Sequence, residues 1–259
     1  MDVATPLGIV LALAAIFVSQ LMGGGNPFAI FSPTSMMLVF GGTIGVSLAG
    51  MMLKDASGFA KALKAAVLAK SEPRDGSIAK LVSLAETARK EGLLALEAAA
   101  SEIADPFFKQ GVQMAVDGTD PEQIREILEK EIDSMRARHR LAAKFFADMA
   151  GFAPTIGILG TVLGLVHVLG HLSNPTALGP LIGEAFTATL WGVMSANVFW
   201  LPISNKLKRI SEFEAQTREL VMDGILAIQA GSNPRMLEQQ LLTYLAPAER
   251  AGAKKGKAA

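Results

Sequence analysis

The sequence contains no cysteine. Disulfides, thiolate metal sites and cysteine nucleophiles are therefore excluded together, and the redox compartment is unreadable from thiols. Nucleotide loops are missing too: Gly23-Gly24-Gly25 lacks the Gly-Lys-Ser/Thr ending that a phosphate cradle needs. There is no strand signal, no repeat at a fixed period, and no grouping of nucleophile, base and oxyanion donors, so an enzyme is not expected. Net charge is zero, from 24 basic and 24 acidic residues, and nothing in that balance points to nucleic acid. The most informative absence is local. Residues 145–205 contain no Lys or Arg at all.

What fills that gap is apolar. With 51% hydrophobic residues and a mean hydropathy of +0.37, the chain reads as a membrane protein rather than a soluble globule. Residues 5–22 and 33–53 form two apolar runs, and residues 145–205 hold two more, the last of them over 181–202. Each is long enough to cross a bilayer. The only early charge is Asp2 and no cleavage site is clear, so the first run is expected to be a retained helix and not a secretory signal. Gly41-Gly42 in the second run suits close approach between membrane helices.

Charge sets the orientation. Fifteen of the basic residues lie between Lys54 and Lys144 and nine between Lys206 and Lys257. The short connections at 23–32 and 173–180 carry none. Since basic residues stay on the cytoplasmic side, four spans with both termini inside are expected. The fold class is thus all-α, a polytopic membrane protein with four transmembrane helices and a large helical cytoplasmic domain. Its divisions are 1–53 (spans one and two), 54–147 (cytoplasmic, with an interfacial helix), 148–205 (spans three and four), and 206–259 (a cytoplasmic helix and a disordered basic tail from Ala251).

In the cytoplasmic block, Phe59, Leu63, Val67 and Leu68 lie opposite Lys61, Lys64 and Lys70, a pattern suited to the inner membrane surface or to packing on neighbouring helices. Residues 72–76 read as a turn, 77–91 as a helix ended by Gly92, and 93–103 as another carrying Glu97. Asp120, Pro121 and Gln123 then start a helix with an apolar stripe of Ile124, Ile127, Leu128, Ile132 and Met135. No breaker follows before Gly151, so this helix is expected to run into span three.

The segment Ala153-Pro154-x-x-Gly157-x-x-Gly160-Thr161-Val162-Leu163-Gly164-Leu165-Val166-His167 resembles the third-span signature of the flagellar stator A subunits, the MotA/PomA family, whose core is similar to the ExbB/TolQ energisers. Arg89-Lys90, Glu97, Thr189-Leu190-x-Gly192 and Pro202 extend the likeness over nearly the whole chain. The resemblance implies an inner-membrane motor subunit. Five copies are expected around a dimer of a B subunit, which supplies an intramembrane aspartate and a peptidoglycan-binding domain. Ion passage would drive the ring against the rotor's switch protein. No cofactor is implied, only a translocated H+ or Na+. Ala188 stands where some sodium-driven relatives carry a hydroxyl, which favours protons. The alternatives are an ExbB/TolQ-like energiser of outer-membrane work, disfavoured because those relatives have three spans, and a non-conducting scaffold.

Individual residues carry different expectations. Gly157, Gly160, Gly164 and Gly192 suit close helix packing. Thr161 and Thr189 can replace part of an ion's hydration shell, or can simply bond carbonyls of their own helices; the resemblance favours the ion pathway. Thr155 and Thr187 match no motif and are weaker candidates. Pro154 and Pro202 can bend a helix, and the resemblance makes them elements of conformational coupling. Arg89, Lys90 and Glu97 read as a solvated face, while in the family such positions meet the rotor, with Glu91 an additional acid among them. His167 and His171 have the spacing of a metal pair but no third ligand, so no metal is expected. Between Asp148 and Lys206 the only charged residue is Glu184, expected to cap the start of span four or to mark a mouth. With no carboxylate at central depth, a partner has to supply the charge carrier.

Overall fold

The computed structural model describes residues 4–56, 58–68, 74–247 and 249–250, and among these every regular element is helical. Lys70, the 72–73 part of the expected turn and the 251–259 tail lie outside the described residues. The chain divides by contact into two compact units, Met1–Lys70 with His139–Ile210 and Ser71–Arg138 with Ser211–Ala259. This partition follows packing, whereas divisions at 53, 147 and 205 follow solubility in a bilayer.

The first unit contains α1 (Ala4–Met22), α2 (Pro33–Ala49), α3 (Phe59–Leu68), and parts of two long helices, α7 (Pro121–Leu169) and α8 (Pro175–Gln229). Helices α1, α7 and α8 are long and apolar enough to cross a membrane. Helix α2 is shorter than the apolar run that contains it: it stops at Ala49, and Met51 N–H closes a tight turn on Leu48 O. Gly42 lies against the Ile156 side chain, where a Cβ would sit 3.1 Å from Cγ2, while Gly41 meets nothing. No residue of α1 is buried, the expected result for a helix apolar on all sides in lipid.

Two clusters hold this unit together. Val39, Trp191 and Met194 form one, fixed by Trp191 Nε1 donating to Ile30 O at 2.7 Å. Phe145, Phe146, Met149, Ile203 and Leu207 form the other. Phe59 of α3 stacks on Phe145 with ring centroids 3.8 Å apart, so the aromatic side of α3 packs on its neighbours; Leu63 remains 39% exposed. Ser204 Oγ donates to Ala143 O at 2.8 Å, joining α8 to α7 inside this cluster.

The second unit contains α4 (Arg74–Glu91), α5 (Leu96–Ser101), α6 (Pro106–Val116), α9 (Pro234–Leu242) and the remaining parts of α7 and α8. Its core includes Leu81, Leu96, Phe107, Ile124, Leu128, Ile132, Met135, Leu220 and Ile225. Of the apolar stripe on α7, only Ile127 faces out, at 42% exposure. Asp120 caps this helix through its bond from Glu122 N, and the helix runs unbroken past Pro154.

Residues 74–76 are helical, not part of a turn, because Arg74 is anchored. Its guanidinium donates to Thr217 Oγ1, Tyr244 O, Phe213 O and Gln216 Oε1 and lies 4.0 Å from the Phe213 ring centre. These contacts pin the first turn of α4 to α8. The helix ends at Gly92, whose φ of 88° is a conformation that favours glycine. Nearby, burial and then the bond to Asp223 push the Tyr244 hydroxyl pKa up. Replacing Arg74 with Ala would leave acceptors in this unit unpaired and is expected to destabilise it by about 2–4 kcal/mol. Thermal unfolding of the detergent-solubilised protein checks this, and an unchanged midpoint would contradict it.

Candidate functional site: the crossing of α7 and α8

The antiparallel halves of α7 and α8 meet through small residues at matching intervals. Gly157, Gly160 and Gly164 occupy one face of α7 and Ala185, Ala188 and Gly192 one face of α8. Gly157 meets Gly192: a Cβ on Gly157 would stand 2.9 Å from Ala188 O and 3.1 Å from Gly192 Cα, and one on Gly192 only 2.6 Å from Ala153 O. At Gly160 a Cβ would lie 2.6 Å from the Ala188 Cβ, and at Gly164 2.5 Å from the Ala185 Cβ. A methyl group has no room at any of the four glycines. Backbone thus packs on backbone, as membrane helices do when dispersion and polar contacts must replace the hydrophobic drive.

That closeness brings Thr161 and Thr189 together. Their hydroxyls are hydrogen-bonded to each other. Thr161 Oγ1 also reaches Gly157 O at 3.2 Å and Ala185 O at 3.1 Å, and Thr189 Oγ1 reaches Gly157 O at 3.3 Å. Thr161 bonds its own helix one turn back, and the pair also bridges the two helices. Two hydroxyl protons face four acceptors here, the two carbonyls and the two hydroxyl oxygens. The bonds can rearrange, and oxygen lone pairs remain free for a cation or a water. Thr155 and Thr187 are not part of this cluster; each bonds a carbonyl of its own helix, Phe152 O and Gly183 O.

Pro154 lies within α7, next to the Ala153 carbonyl that touches Gly192. Pro202 does not mark an end. It sits inside the continuous helix α8, just after a widened π-type turn over Ser195–Trp200. Proline cannot donate to the carbonyl one turn earlier, and the widened turn absorbs the mismatch. Helix α8 also starts before the expected connection ends, at Pro175, and carries Pro180 inside it.

Glu184 is accordingly not at the N-terminus of its own helix. It faces the start of α2 instead, where Ser32 Oγ donates to its carboxylate at 3.3 Å and Ser35 Oγ to its backbone carbonyl at 3.3 Å. These partners lie about 150 positions away in sequence, and no local pattern announces them. His167 and His171 have ring centroids 4.7 Å apart, with His171 Nδ1 2.9 Å from His167 O. Among the described residues no group of three or more His, Asp or Glu is placed to hold a metal.

Arg89 and Lys90 occupy the last turn of α4 and Glu97 the first turn of α5, placements that complement the helix dipoles. All three are exposed, as are Glu91 and, at 75%, Leu94 between them. Helix α6 was missed in the sequence pattern, although Asp105-Pro106 repeats the cap of α7: Asp105 accepts from Phe107 N at 2.8 Å and Phe108 N at 3.2 Å.

Residues 99–220 match the model of the MotA/TolQ/ExbB proton channel family, and residues 6–92 match that of the motility protein A N-terminal region. Over 254 residues the chain is 37% identical to motility protein A of Bacillus subtilis, covering 96% of this chain and 93% of that protein. The chain belongs to the MotA/PomA family. Chemotaxis protein PomA of Vibrio alginolyticus, 36% identical over 251 residues, is matched over 97% of this chain and 98% of its own length. The structure of the flagellar MotAB stator complex from Bacillus subtilis contains a chain that superposes with a TM-score of 0.91 at 36% identity, covering 97% of this chain and 99% of that one.

For this MotA/PomA-family chain, the α7–α8 crossing generates a sharp expectation. Gly192→Val should separate the helices and lower the amount of stator complex recovered from membranes severalfold, since overpacking costs about 1–3 kcal/mol or more where backbone is in the way. Recovery of the complex at the unsubstituted level would contradict the packing described.

Proposed function

We propose that the chain is the A subunit of a flagellar stator, which together with a B subunit forms an ion channel and converts ion flow into torque on the rotor. The observation that carries this reading is the Thr161–Thr189 hydroxyl pair, which offers oxygen ligands at a helix crossing where the chain has no central charge. An ion stripped of part of its water needs a counter-charge in a low-dielectric setting. The B subunit's intramembrane aspartate supplies it, so the site is complete only in the complex. The family relatives, and the stator complex with which the fold aligns closely, support this assignment.

In this reading α2 is a fourth span, short enough to thin the bilayer locally, and both termini are cytoplasmic in the bacterial inner membrane. Five copies surround a B dimer whose periplasmic domains grip peptidoglycan. Pro154 and Pro202 let ion occupancy at the threonines bend α7 and α8, and those helices continue into the cytoplasmic unit. Arg89, Lys90 and Glu97 meet complementary charges on the rotor switch protein, where steering and register matter more than binding strength. Protons are favoured over sodium as the coupling ion because Ala188 offers no third hydroxyl beside the pair. No enzymatic step or cofactor is required.

Thr189→Val keeps shape and removes the hydroxyl, whereas Thr189→Ser keeps it. In cells lacking their own A subunit, the Val variant is expected to cut swimming speed about tenfold at normal membrane abundance, the equivalent of roughly 1.4 kcal/mol of ion stabilisation. The Ser variant should retain most of it. Normal swimming with Val would contradict the pathway role.

A further inference from the structure

A second polar feature lies on the other side of the same small-residue seam. A cavity of 440 Å³ is walled by α2 (Thr34, Ser35, Leu38), α7 (Gly160, Leu163, Gly164, His167) and α8 (Leu181, Glu184, Ala185, Ala188). Its apolar part joins Leu38, Leu163 and Leu181 to Gly160, Gly164, Ala185 and Ala188, residues of the crossing itself. Its polar part is at the outer ends of the three helices, where Glu184, Thr34, Ser35 and His167 gather. Ser35 Oγ donates to the Glu184 backbone carbonyl and Ser32 Oγ to its carboxylate, each at 3.3 Å, so the carboxylate is directed toward the start of α2. Ala185 links the two features: its side chain lines the cavity, and its carbonyl accepts from Thr161 Oγ1 at 3.1 Å.

We propose that this cavity is an admission site for a monovalent cation, hydronium or sodium, on the outer side of the membrane, with Glu184 as its charged ligand. The proposal rests on the stator reading above, which supplies the orientation and the ion flow. A single carboxylate with hydroxyls around it attracts a hydrated monovalent ion and concentrates it above the threonine pair. A divalent ion would require more carboxylates, and among the described residues none join Glu184. The titratable groups around the site are Glu184 on α8 and His167 on α7, with the His171 ring tilted against His167 at a centroid distance of 4.7 Å. Glu184 sits where other charge is absent: it is the only charged residue between Asp148 and Lys206.

The test uses the whole stator in cells without their own, with swimming speed measured against external sodium at fixed pH and against external pH at fixed sodium. Glu184→Gln removes the charge and keeps an acceptor for Ser32. It is expected to raise the half-saturating concentration of the coupling ion about three- to tenfold. Thr34→Lys, at an exposed rim position, adds a positive charge without altering Glu184 and should shift the curve in the same direction, less so at high ionic strength. If Glu184→Gln fails to reach the membrane, Thr34→Lys carries the test alone. Unshifted half-saturation in the variants that assemble would overturn the admission site while leaving the stator reading intact. A wild-type chain that conducts no ion with its B subunit would remove both.

Discussion

The close approach of α7 and α8 where Gly157 meets Gly192 is the constraint on which the membrane unit depends. A Cβ at either position would collide with backbone. Because the two main chains touch, Thr161 and Thr189 stand within hydrogen-bonding reach, and Thr161 can also reach Ala185 O across the seam. The same interval of small residues leaves Gly160, Gly164, Ala185 and Ala188 as part of the lining of the cavity beside Glu184. Packing, the hydroxyl pair and the cavity are three consequences of one spacing. A larger residue in the seam would disturb all three at once.

Much of this was legible in the sequence because the physics is local or global, with little in between. Local rules cover Asp120-Pro121 at the start of α7, Gly92 at the end of α4, and the glycine intervals of span three. A global rule, the long apolar runs free of Lys and Arg, marks the helices α1, α7 and α8 that are long and apolar enough to cross a membrane. Contacts between residues distant in sequence follow neither kind of rule. Arg74 reads as a turn residue until its guanidinium is placed against Phe213, Gln216, Thr217 and Tyr244. Glu184 reads as a cap of its own helix, yet serves the start of α2. Helix α6 is a different case, since Asp105-Pro106 is a local start signal of the same kind as Asp120-Pro121.

The prolines illustrate how a bilayer helix tolerates what a soluble one would not. Pro154, Pro180 and Pro202 all lie inside helices. Each deletes a backbone donor, and the widened turn at Ser195–Trp200 accommodates the last of them. A helix that has already given up a hydrogen bond bends there at lower cost than elsewhere. Pro202 therefore lies at a point of compliance in α8, close in sequence to the Gly192 contact and just before the basic residues Lys206, Lys208 and Arg209.

The central claim is that this chain holds one half of an ion site and that the partner's acid completes it. The direct measurement is ion uptake into proteoliposomes under an imposed gradient, comparing the chain alone, the chain with its B subunit, and the chain with a B subunit whose intramembrane acid is replaced by its amide. Uptake is predicted only for the intact pair. Equal uptake by the chain alone, or by the pair carrying the amide, would contradict the claim.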